Sequence, residues 1–145
     1  MDSREASTLV FDAIAYGVAG DSERAADNLT KLGIQGDNRL MYAACCSIAE
    51  AGKLMLVRLN GGRVVSPEQG DMWVLEQLQP GALDRDPAGA FAVRFLIAHA
   101  NGDHSTTQAL FAAAVRAHGE QYIDSVCALL ADVVGITRLA LDQQS

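Results

Sequence analysis

Apolar residues recur at three- and four-residue intervals along most of this chain, the period that places side chains on one face of an α-helix. The pattern is plainest between Asp86 and His118. Asp86 suits a helix N-cap, and Pro87 follows at the first helical position, where its missing donor costs nothing. Phe91, Phe95 and Ala98, with Ala92, Leu96 and His99 offset by one position, make one broad buried face. Asn101 and Gly102 tolerate the positive φ of a helix end, and Asp103 or Ser105 caps the helix that follows. So short a turn leaves the two helices antiparallel neighbours. In the second of them Ala109, Ala112, Ala113, Ala114 and Ala117 flank Leu110, Phe111 and Val115, an arrangement expected to let the partner helix approach closely.

The same grammar occurs earlier, where Ala19-Gly20-Asp21-Ser22 separates two helical patterns within Leu9 to Leu32. The two copies do not share a register, because Ala109 lies two positions too far from Gly102 to match Ala25 against Gly20. Common turn chemistry accounts for the likeness: Gly ends helices and Asp or Ser starts them.

Asp2-Ser3-Arg4-Glu5 reads as a capping box opening a helix that runs to about Ala19. Asp21 caps a second helix through Leu32, ended by Gly33-Ile34-Gln35-Gly36. Asp37 or Asn38 opens a third, with Leu40, Ala44, Ile48 and Ala51 on one face. From Gly52 to Val65 two readings compete. Helical periodicity continues through Met55, Val57 and Leu59 to an Asn60-Gly61-Gly62 cap; alternatively Lys53 to Leu59 is a strand that turns at Asn60-Gly61 into Arg63-Val64-Val65, a short β-hairpin over 53–65. Helix is favoured, since Leu and Met outnumber β-branched residues before the turn and a lone hairpin needs something to pack on.

Ser66-Pro67-Glu68-Gln69 marks a further helix start, and Met72, Trp73, Leu75 and Leu78 follow before Pro80-Gly81. Beyond Gly119 a last helix runs from about Glu120 to Leu141. Its Tyr122, Ile123, Val126, Cys127, Leu130, Val133, Val134 and Ile136 spread over more than half the circumference. Such breadth implies burial on several sides, either at the centre of the bundle or partly against another chain. The expected fold is an all-α, single-domain bundle spanning 1–145, of six or seven helices built from antiparallel αα-hairpins.

With 145 residues, half of them hydrophobic, the chain is expected to bury one sizeable core. No basic segment leads into an apolar signal region, and the most apolar run, Phe91 to Ala100, is broken by Arg94; the chain reads as soluble, unexported and without a membrane partner. Cys45, Cys46 and Cys127 lie in apolar helical patterns, which suits reduced thiols in a cytoplasm rather than a strained Cys45–Cys46 disulfide. Abundant alanine, and arginine in excess of lysine, match a GC-rich bacterial genome.

A net charge of −7 with scattered Lys and Arg argues against nucleic acid, whose affinity rests on neutralised phosphates. Ala25 to Cys46 has the outline of a helix-turn-helix, yet its second helix begins Asn38-Arg39-Leu40-Met41-Tyr42, with a single basic residue.

Candidate chemistry is sparse. A metal or acid–base site needs converging histidines and carboxylates, and only His99, Asp103 and His104 are close in sequence, across a turn. His118 stands near a helix C-terminus, favourable for a cation. There is no phosphate-binding Gly-rich loop, no nucleophile elbow and no zinc-binding His-Glu-x-x-His. Asn60-Gly61-Gly62-Arg63 as an anion nest and Asp84 with Asp86 as a cation site both have simpler structural readings, a helix end and an N-cap. Trp73, Tyr16, Tyr42 and Tyr122 read as core residues before interface ones.

No catalytic, cofactor-binding or metal-ligating residue is assigned. The expected function is a non-enzymatic, adaptor- or scaffold-like helical interaction domain that self-associates, through the final helix or the Trp73 helix. The alternative is a small-molecule-binding or catalytic helical domain with its site in a cleft between helices.

Overall fold

The computed structural model describes residues 1–62, 86–118 and 122–143. The expectations for the second strand of the 53–65 hairpin, the Ser66-Pro67 helix start, Trp73 and the Asp84 side of the carboxylate pair lie outside the described residues. Six helices are described: α1 (Ser3–Val18), α2 (Ser22–Gln35), α3 (Asn38–Leu59), α4 (Pro87–Ala100), α5 (His104–His118) and α6 (Tyr122–Asp142). No strand occurs among the described residues. The chain is an all-α bundle.

Aspartate starts each of the first five helices by accepting the amide of the third residue beyond it. Asp2 accepts from Glu5 N at 2.8 Å, Asp21 from Arg24 N at 3.1 Å, Asp37 from Leu40 N at 2.8 Å, Asp86 from Gly89 N at 2.7 Å and Asp103 from Thr106 N at 3.1 Å. Each bond satisfies a donor that the helix leaves orphaned. The Gly-Asp corners are one device used twice. Gly20 and Gly102, with φ of 89° and 74°, take the left-handed backbone that closes a helix. Their amides reach Gly17 O and His99 O, while the amides of Asp21 and Asp103 reach Tyr16 O and Ala98 O, each at 2.8–3.0 Å. The aspartate that completes one helix end therefore caps the next helix.

Lys53 to Leu59 is helical, so the hairpin alternative does not hold: α3 runs unbroken to Leu59. The amides of Gly61 and Gly62 close it on Arg58 O and Val57 O, at 3.2 and 2.9 Å. Helix α2 is longer than its glycines suggested, since Gly33 sits inside it and only Gly36 ends it.

The last helix is the axis of the bundle. α6 packs against all five of the others, and Val126, Leu129, Leu130 and Val133 are almost completely buried. Three glycines on three different helices make room for it. A Cβ on Gly17 of α1 would lie 2.6 Å from Val134 Cγ2, one on Gly33 of α2 3.3 Å from Ile123 Cδ1, and one on Gly52 of α3 2.8 Å from Val133 Cγ2. The α6 side chains thus rest on bare glycine backbone, where a Cβ would clash on α1 and α3 and be tight on α2.

Close approach through the alanines of α5 is not what the fold uses. Of the five alanines only Ala114 is buried, beside Thr107 and Phe111, while Ala109, Ala112, Ala113 and Ala117 are exposed. The reason is aromatic. Phe111 packs edge-on against Tyr42 at 5.5 Å and Tyr122 at 6.1 Å, and this cluster, continued by Phe95 and Phe91, turns the α5 apolar face toward α3 and α4.

By length and composition α3 is able to cross a bilayer, a property the sequence reading looked for in the shorter Phe91–Ala100 run. In the bundle 44% of its most apolar window is buried, and Met41, Ala44, Cys45, Ile48 and Ala49 are core residues.

Candidate functional site

Helix periodicity puts Tyr42, Cys46 and Glu50 on one face of α3, four residues apart. That face meets His99 of α4 and Thr107 of α5. The buried Thr107 hydroxyl donates to His104 O at 2.9 Å, so the Tyr42 hydroxyl, 2.7 Å away, is the donor to Thr107 Oγ1. Burial pushes the Tyr42 hydroxyl above its ordinary range.

One end of the seam holds a polar contact between a partly buried imidazole and an exposed carboxylate. His99 Nε2 lies 3.0 Å from Glu50 Oε1, and the imidazole side chain is only 11% exposed. A neutral imidazole that donates to the carboxylate carries its proton on Nε2 and its lone pair on Nδ1. Nδ1 is buried and without a partner. A carboxylate–imidazole pair is the arrangement general-base catalysis uses, but the nitrogen that would take a substrate proton here is sealed from solvent. The pair ties α3 to α4.

The sequence grouped His99 with Asp103 and His104, and the structure separates their roles. His104 is exposed at the start of α5, its ring edge-on to His99 at 6.1 Å. Asp103 accepts from Thr106 N at 3.1 Å and from Thr106 Oγ1 at 2.6 Å; these bonds, the hydroxyl's first, hold its carboxyl below the ordinary value. His118 is the last residue of α5. No group of three or more His, Cys, Asp or Glu poised to hold a metal exists among the described residues. Sequence reasoning missed Glu50, because it lies 49 residues from His99 on a helix read only for its apolar face.

All three cysteines are free thiols. Burial raises each above its ordinary value, most strongly Cys45, which is completely enclosed. None has the lowered pKa of a nucleophilic thiol. The anion nest at Asn60-Gly61-Gly62 is equally committed, its glycine amides being spent on the α3 carbonyls. At the start of α3, where a helix-turn-helix would read bases, Met41 is core and the Tyr42 ring stands in the aromatic cluster.

What remains open on the surface is a set of clefts beside α6. One, of about 420 Å³, lies where the α1–α2 corner meets α6 and is lined by Gly17, Ser22, Ala25, Cys127, Val134 and Arg138, among others. Another, of about 290 Å³, runs between α4 and α6 and is lined by Val93, Leu96, Gly135, Ile136 and Leu139. Leu139, 59% exposed, forms an edge of the second. No family model matches the chain, and comparisons with curated proteins and with solved structures found no match.

Proposed function

We propose that this chain is a non-enzymatic helical interaction module of the cytoplasm, adaptor- or scaffold-like, that self-associates through the groove between α4 and α6. Gly135 is the observation that carries the reading. Glycine in a helix interior costs roughly 1 kcal/mol relative to alanine. At Gly17, Gly33 and Gly52 that cost admits an α6 side chain, whereas a Cβ at Gly135 would meet nothing within 4 Å. Gly135 forms part of an apolar groove whose edge, Leu139, is an exposed large hydrophobic one turn further along the same helix.

A two-fold pairing uses both features at once: Leu139 of each copy enters the groove over Gly135 of the other, as an isologous contact requires. The wide apolar pattern of α6 is mostly consumed by the bundle core, and this contact uses the part left outside it. Leu139→Asp tests the reading. It removes self-association in native mass spectrometry and leaves the helical circular dichroism unchanged, because Leu139 contributes little to the core. A variant that associates as the parent does sinks the proposal.

A further inference from the structure

A different kind of binding is carried by the cleft at the α1–α2 corner, which adjoins the α4–α6 groove across Ala131. We infer that it takes a small monocarboxylate with an apolar body. At about 420 Å³ the cleft falls within the roughly 300–1,000 Å³ typical of small-molecule sites. Gly17, Ala25, Leu130 and Val134 give it apolar walls, and Ser22 contributes a hydroxyl.

Arg138 supplies the charge. Its guanidinium lies over the corner, with Nη2 3.8 Å from where a Cβ on Gly20 would sit. It pairs with no carboxylate among the described residues. The neighbouring cation is committed: Arg24 Nε is 3.4 Å from Asp21 Oδ2, and its guanidinium stands 5.7 Å over the Tyr16 ring. An uncommitted guanidinium above an apolar cleft, on a chain of net charge −7, is where an anion is best held. Its planar fork matches a carboxylate. A single arginine lines the cleft, which makes the ligand a monoanion. Asp21 already takes the Arg24 amide in the first turn of α2, so the anion is assigned to Arg138 and not to the helix terminus. The apolar walls require the rest of the ligand to be hydrocarbon.

Cys127 makes the site testable because it lines the cleft and is half-buried. The full chain is alkylated with iodoacetamide while octanoate is titrated, and each cysteine is followed by peptide mass spectrometry. Octanoate slows alkylation of Cys127 to saturation and leaves Cys46, on α3, unchanged; enclosed Cys45 reports any unfolding. Octan-1-ol and octylamine protect far less. Arg138→Gln raises the half-protecting octanoate concentration roughly tenfold, the loss of one charge-assisted pair, with unchanged melting. Absence of protection at millimolar octanoate overturns the inference, as does equal protection by octan-1-ol or in Arg138→Gln. Leu139→Asp retains the protection, so failure of self-association and failure of this site are read separately.

Discussion

Gly52 and Gly135 sit inside two helices that pack on each other, and they are opposite cases. A methyl at Gly52 would press to 2.8 Å from Val133 Cγ2 and 3.1 Å from Leu96 Cδ1, both on helices fixed by the core. Overpacking of this kind costs about 1–3 kcal/mol, against a gain of about 1 kcal/mol in helix propensity. Gly52→Ala is therefore expected to lower the melting temperature, whereas Gly135→Ala, whose methyl meets nothing within its own chain, should stabilise the Leu139→Asp monomer by about 0.5–1 kcal/mol and weaken self-association of the parent. In sequence the two glycines look alike, since the difference lies in which side chain of another helix faces each. The thiols show the same dependence on fold. Cys45 ionises far above its ordinary value of 9.0 because it is enclosed. Its folded value is raised, so stability is full below the unfolded value and declines as the pH rises past it. Alkaline melts should show a loss beginning near that ordinary value, reduced in Cys45→Ala after correction for the smaller side chain.

Helix starts were the most legible elements, because a cap is a local bond between residues three apart. Asp2, Asp21 and Asp86 were readable outright and Asp37 and Asp103 as one of two nearby candidates, and all five accept an amide three residues on. Asp37→Ala should cost about 1 kcal/mol in denaturant unfolding. Asp103 adds a pH dependence. Its carboxyl is held below the ordinary value by the Thr106 hydroxyl and amide, so its contribution is intact above the ordinary carboxylate range and is lost as the pH falls through the lowered value. Hydrogen exchange at the first turn of α5 should therefore accelerate in acid, and Asp103→Asn should flatten that response. Element faces were less legible. The alanines of α5 carry a helical period that fits either side of the helix, and large aromatic partners on α3 and α6 decided which side was buried.

At the scale of the molecule, α6 joins elements that the sequence could only place in series. Its breadth of apolar positions left two explanations, a central place in the bundle or cover by another chain, and Val126, Leu129 and Val133 belong to the first. Val133→Asp would bury an unpaired charge at the point where α3, α4 and α6 meet and should abolish cooperative folding. The five capping aspartates also change what the acidity means. They are five of eighteen acidic residues and are occupied with backbone amides, so part of the net charge of −7 serves the fold. The His99–Glu50 bond was not legible because it spans 49 residues, and no local pattern reports a contact of that separation.

Self-association through the α4–α6 groove is the central claim, and sedimentation equilibrium of the full chain beside Leu139→Asp tests it most directly. A concentration-dependent dimer for the parent, with a folded monomer for the variant, is the predicted result. A parent that remains monomeric across the accessible concentration range, or a variant that dimerises equally well, would contradict it.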